Sequence, residues 1–167
     1  MADPRNILAN EKKGTMLIDT NPRMLVVVFS NTKPNKYSRA LANATLIPCH
    51  IEPVKEDPFR DVKITNGKLR VSLGTFMSTG SWFMSGRTFA FRCQQDCFRL
   101  IGYDEHVAQR NTAEKTTTSI NHITKKIRTA FGNFESDREK STWKSFRNAK
   151  LRCLDEIGDG LDFNPEN

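Results

Sequence analysis

The chain has 167 residues, 37% hydrophobic and 27% charged, the make-up of one ordinary folded domain rather than two, with no apolar run near the roughly 20 residues of a membrane helix. Its 26 Lys and Arg against 19 Asp and Glu leave a formal charge of +7. That balance points to an anionic partner without choosing among nucleic acid, an anionic envelope polymer and an acidic protein face.

The opening Met-Ala-Asp-Pro-Arg-Asn carries neither the basic nor the apolar region of a signal peptide. Residues 15–19 and 23–30 are β-branched or apolar runs that predict two strands, parted by a turn at Thr20-Asn21-Pro22. The stretch DVKITNGKLRVSL is the best hairpin signal in the chain. Val62 and Ile64 alternate with polar residues, Asn66-Gly67 supplies the two residues of a type I′ turn, and Leu69, Val71 and Leu73 alternate on the return.

Further strands are predicted at 82–92, 97–103, 116–124 and 126–131, so residues 61–131 read as an antiparallel meander. On its central hairpin, alternation sets Phe89, Phe91, Ile101 and Tyr103 on one side and Ala90, Phe98 and Leu100 on the other. A strand apolar on both faces belongs in the middle of a sheet covered on two sides. Beyond Asp137 the spacing of Trp143, Phe146, Lys150, Cys153 and Ile157 predicts a helix ended by Gly158 and Gly160, after which LDFNPEN forms a tail. The fold expected is mainly β: an antiparallel meander in a partial propeller-like or sandwich domain, with a short C-terminal helix or extended tail. Residues 1–21 form an N-terminal segment, 22–131 the β core and 132–167 a basic C-terminal segment.

Four cysteines are present, Cys49, Cys93, Cys97 and Cys153. In a hairpin turning at Gln94-Gln95-Asp96, Cys93 and Cys97 would face each other at Cα separations of about 4.5 to 5.5 Å, near what a disulfide needs. Cys49 and Cys153 would then pair together. Buried thiols and a metal set are the other readings, the last disfavoured because C-x2-C spacing is absent and only His50 and His106 lie near a cysteine.

Signs of catalysis are sparse. The chain has no phosphate-binding loop, no G-x-S-x-G, no H-E-x-x-H and no dinucleotide fingerprint. Cys49 and His50, being adjacent, would point to opposite faces of a strand. The oxygen-rich DEIGDGLDFN lacks the ligand spacing of a calcium loop. No catalytic residue, metal or cofactor is expected. The basic run REKSTWKSFRNAKLR reads as a solvated face, so nucleic acid is not the expected partner.

The middle of the chain, residues 22–131, resembles a group of bacterial envelope proteins. The resemblance rests on Asp57-Pro58-Phe59, Asn66-Gly67, Trp82, Phe91-Arg92, Leu100-Ile101-Gly102-Tyr103-Asp104, Arg110 and Ser119-x-Asn121. That group is similar to the β-rich, propeller-like periplasmic immunity proteins, akin to lysozyme inhibitors, that protect bacteria from peptidoglycan-degrading effectors of contact-dependent secretion systems. The sequence departs from the pattern at Ala113, where a Gly is usual, and at NHITKK, where Asn-Tyr-Leu-Thr-Gly is typical. An acidic calcium loop near the start is replaced by DPRNILANEKKG. The resemblance implies export to the periplasm behind a leader not included in this sequence, an oxidising setting that suits paired cysteines. It implies a protein that occludes the cleft of a secreted peptidoglycan hydrolase. The expected contacts are Ser78, Gly80, Ser81 and Trp82 of STGSW, which resembles the Ser-Gly-plus-aromatic motif of lysozyme inhibitors, together with Tyr103 and the loop 104–110 that follows it, with Asp104 and Arg110. An anionic-polymer binding module is the alternative.

Overall fold

The computed structural model describes residues 7–10, 16–19, 21, 23–33, 35–52, 54–95, 97–147 and 150–165. The turn expected at Thr20-Asn21-Pro22 falls largely outside them. Eleven strands and one 3-10 turn run in chain order. Strands β1 (Ile7–Asn10) and β2 (Met16–Asp19) form an antiparallel hairpin, and β3 (Leu25–Ser30) and β4 (Tyr37–Asn43) form a second. Then β5 (Phe59–Thr65), β6 (Lys68–Phe76), β7 (Phe83–Gln94), β8 (Cys97–Gln109), β9 (Glu114–Asn121), β10 (Lys126–Asn133) and β11 (Ser136–Ser145) build one seven-stranded antiparallel sheet in sequence order. The predicted meander is therefore present and longer at both ends. Its first turn has the expected chemistry: Asn66 and Gly67 sit at φ 51° and 68°, both in the left-handed region a type I′ turn requires.

One face of this sheet is covered. Leu69, Val71 and Leu73 of β6, Phe89 and Phe91 of β7 and Leu100 and Tyr103 of β8 pack against Leu25, Val27 and Leu41 of the β3–β4 hairpin, the turn residues Leu46 and Ile47, and Leu154, Ile157 and Phe163 near the C-terminus. Each fully buried side chain of this kind contributes about 1.5–3 kcal/mol. Asn43, itself buried, ties the covering elements to one another. Its Oδ1 accepts from the Leu46 amide at 2.9 Å, and its Nδ2 donates to Asp155 at 2.9 Å.

The central hairpin departs from plain alternation. Ala90 pairs with Gly102 but Phe91 pairs with Leu100, so Ile101 is the extra residue of a β-bulge. One inserted residue reverses every side chain beyond it. Phe98 and Leu100 thus join Phe89, Phe91 and Tyr103 on the core face, while Ile101 turns to the other face with Ala90. Among the described residues, the sheet is covered on one side, not two.

The cysteine pairing also differs from expectation. Gln94 pairs with Cys97 and Cys93 with Phe98, so the two cysteines are out of step by one residue and do not face each other. Instead β9 leaves the edge of β8 at Gly102, and residues 151–153 take its place: the Leu100 amide donates to the Arg152 carbonyl at 2.8 Å and Arg99 bridges Cys153. This brings Cys153 against Cys97, and the two form a disulfide. Cys93 is free and exposed; Cys49 is free and donates to the Asn21 carbonyl at 3.4 Å.

The predicted C-terminal helix is absent. Residues 136–145 are strand β11, exposed throughout and paired with β10, and only Leu154–Glu156 makes a 3-10 turn. Its charged residues, Asp137, Arg138, Glu139, Lys140 and Lys144, suit an edge strand, where they discourage further pairing. The tail is anchored through Arg87, which donates to Glu105 at 2.8 Å and to the carbonyls of Gly160 and Leu161.

Candidate functional site

The other face of the seven-stranded sheet carries a trough of about 640 Å³. Small residues form its floor. Ala90 of β7, Gly102 of β8 and Asn121 of β9 lie directly opposite one another, and beside them Thr88, Asp104 and Ser119 form the next row. The bulge at Ile101 helps to make this floor, because it lays Ile101 and Gly102 on the same side.

The walls are basic. Lys68, Arg70 and Arg92 rise from β6 and β7, and Lys126 and Arg128 from β10; Asp104 is the one carboxylate among the lining residues. Register explains the clustering. On β6 the order Lys68-Leu69-Arg70-Val71, and on β10 Lys126-Ile127-Arg128, puts apolar residues toward the core and cations toward the trough at every second position. Cations also meet cations across strands: Lys68 lies opposite Arg92, Arg92 opposite Arg99, and Arg70 opposite Lys63. Like charges directly opposite are destabilising, by something on the order of 0.5 kcal/mol each.

Few local carboxylates relieve that repulsion. Among the described residues, no salt bridge involves Lys68, Arg70, Arg92 or Lys126. Arg128 is the exception, 3.7 Å from Glu139, which also meets Lys115 at 2.9 Å. The hydrogen bond and charge of Lys115, with a smaller contribution from Arg128, hold the Glu139 carboxyl below the usual range. Trp143 of β11 lies opposite Arg128 and is 64% exposed, a flat ring at the wall of the trough.

No protein-family model matches this chain. Comparisons with curated proteins and with solved structures found no match either. Among the described residues, no helix is long and apolar enough to cross a membrane, and no three His, Cys, Asp or Glu side chains gather as they would around a metal ion.

The residues singled out from sequence fall in three places. Ser78, Gly80, Ser81 and Trp82 form a loop at the far end of the sheet, with Gly80 at φ 83° and Trp82 62% exposed. Arg110 braces that loop: its Nη2 donates to the Met77 carbonyl at 2.8 Å and the Ser81 carbonyl at 2.5 Å, and its guanidinium lies 4.5 Å from the Phe76 ring centre and 5.7 Å from that of Trp82. Asp104 lies in the trough, away from the loop. Tyr103 is a correction. It is buried in the core, edge-on to Phe89 and Phe163, where burial raises its pKa and no partner could reach it.

Sequence reasoning missed the trough. Its signal is the parallel patterns KLRV and KIRT, basic at alternate positions on two predicted strands, which the more conspicuous basic run near Trp143 outweighs in the sequence.

Proposed function

We propose that this protein binds an anionic partner in the trough on the open face of its sheet. The observation that carries the reading is the short ladder of Lys68 and Arg92, two lining cations directly opposite one another on adjacent strands, with Arg70, Lys126 and Arg128 lining the same trough. A fold stabilised for its own sake avoids such a ladder, and local conflicts of this kind concentrate at functional sites. A bound anion turns the repulsion into attraction and is drawn in by the summed field of the walls.

Supporting the reading is the small-residue floor. A Cβ at Gly102, in that floor, would meet only the Ala90 Cβ at 3.6 Å and the Ile120 carbonyl at 3.7 Å, ordinary contacts, so packing does not demand a glycine there, and the surface stays hollow. The Cys97–Cys153 disulfide is compatible with an oxidising compartment, in keeping with a periplasmic or otherwise exported protein.

The test separates the trough from net charge. Arg70→Glu with Arg92→Glu changes the charge as much as Lys33→Glu with Lys36→Glu, two exposed lysines outside the trough. On a sulfated-polysaccharide column the trough variant should elute at much lower salt than the control variant. Equal shifts would remove the trough from the account.

A second reading is favoured by the braced loop. A preordered loop with an exposed Trp loses little freedom on binding, which suits insertion into the cleft of a peptidoglycan hydrolase, where paired carboxylates would meet a basic protein. In this immunity or inhibitor reading Trp82→Ala abolishes protection against the effector while the trough variant retains it; the opposite pattern counts against it.

A further inference from the structure

Resting on the anionic-partner reading, we infer that the trough takes unpaired nucleic acid, the shared chemistry being a phosphate joined to a flat base that carries an amino group. Three features of the trough narrow the ligand beyond a general polyanion.

The first is width. The cations of β6 and those of β10 stand four strands apart, roughly 19 Å between backbones at about 4.8 Å per step. Long side chains reach inward from both walls, leaving room for one extended chain between two rows of cations. Along each wall the cations recur at every second residue, roughly 6.8 Å apart, which allows one strand to meet several of them in succession.

The second is Trp143. An exposed ring at a basic wall offers a stacking surface, and bases stack on aromatic side chains irrespective of sequence. A duplex hides its base faces and gains nothing from such a ring. The third is Asp104. A carboxylate amid five cations repels a ligand that is only anionic, and its oxygens form no hydrogen bond among the described residues. As a pure acceptor it suits a ligand that brings donors along with its phosphates, and the amino group of cytosine is a natural partner for Asp.

The inference is tested by anisotropy with labelled hexadeoxycytidylate, using hexathymidylate, free cytidine monophosphate, a twelve-base-pair duplex and polyglutamate as competitors. The hexacytidylate should bind with a log–log salt slope of about −2.8 if four cations each meet a phosphate. Trp143→Ala should weaken it about tenfold, and Asp104→Asn should abolish its advantage over hexathymidylate. Both side chains project from the surface of the sheet, and unchanged urea midpoints would show that the variants remain folded. Competition by the monophosphate at concentrations comparable to the hexamer assigns a nucleotide site; competition only by the strand assigns a single-strand site. Equal binding of polyglutamate and hexacytidylate, indifferent to Trp143→Ala, would overturn nucleic acid while leaving the anionic reading standing. Failure of every polyanion to bind would overturn both.

Discussion

Replacing Cys153 with serine should be the most destabilising conservative change in the chain's outer segments. The disulfide joins residues 56 apart, and in the chain-entropy model closing such a loop removes about 14 cal/mol/K from the unfolded state, or about 4 kcal/mol at 25 °C. Without it, residues 151–153 keep the Leu100–Arg152 hydrogen bond and the Arg99 side-chain bond to the Leu151 carbonyl, while burial of Leu154, Ile157 and Phe163 and the bonds from Asn43 and Arg87 hold the rest of the C-terminal segment. Urea unfolding reads the effect. With an m-value of about 2 kcal/mol/M, the midpoint of Cys153→Ser should fall by about 2 M, and reduction of the native protein should reproduce the shift. Cys93→Ser, altering an exposed free thiol, should leave the midpoint almost unmoved. A larger loss from Cys93→Ser than from Cys153→Ser would refute the pairing and restore the hairpin-tip staple.

Three other outcomes follow from the same geometry. Arg110→Ala removes a charged donor from two carbonyls and should cost about 2 kcal/mol, with amide exchange in residues 78–82 accelerated; Arg110→Lys should rescue little, since one ammonium cannot reproduce the planar fork. His122, edge-on to Phe146 with its Nε2 buried and unbonded, has its pKa lowered from 6.5 by burial first and then by Arg152; the unfolded chain therefore binds the proton more readily, so stability present above pH 6.5 should decline as pH falls through the depressed folded value, and His122→Phe should flatten that decline in urea midpoints. Ala113 holds φ 58°, a conformation unfavourable by about 1–2 kcal/mol for a side chain, so Ala113→Gly should add up to about 1 kcal/mol of stability after glycine's greater unfolded freedom is discounted, raising the urea midpoint by up to about 0.5 M.

Much of the sheet was legible because strand signals are local. Asn66-Gly67 fixes its own turn, and alternation from Val62 to Leu73 assigns the faces of β5 and β6 without reference to the rest of the chain. What escaped depended on one-residue offsets and distant partners. A bulge at Ile101 leaves no mark in composition, yet it decides which side of β8 faces the core. The disulfide depends on where β9 lets go of β8, and nothing near Cys153 announces that a strand edge is vacant there. The helical spacing of Trp143, Phe146 and Cys153 joins residues in three different settings, Trp143 on the exposed edge strand, Phe146 packed against the core and Cys153 in the disulfide. Ala113 and Lys125 both occupy positive φ, at 58° and 56°, a conformation that glycine adopts without a side-chain penalty and that no local composition signal at these positions announced. The trough was illegible for a different cause: its cations come from β6, β7 and β10, and only the register of intervening strands sets them around one floor.

The most direct test of the central claim is to follow the backbone amides of the isotopically labelled protein by NMR while hexadeoxycytidylate and, separately, polyglutamate are added. The account predicts that amides of Ala90, Gly102, Ser119 and Asn121 shift with at least one of these ligands while those of Ser78, Gly80 and Trp82 stay in place. Shifts confined to the Ser78–Trp82 loop, or none at all, would contradict it.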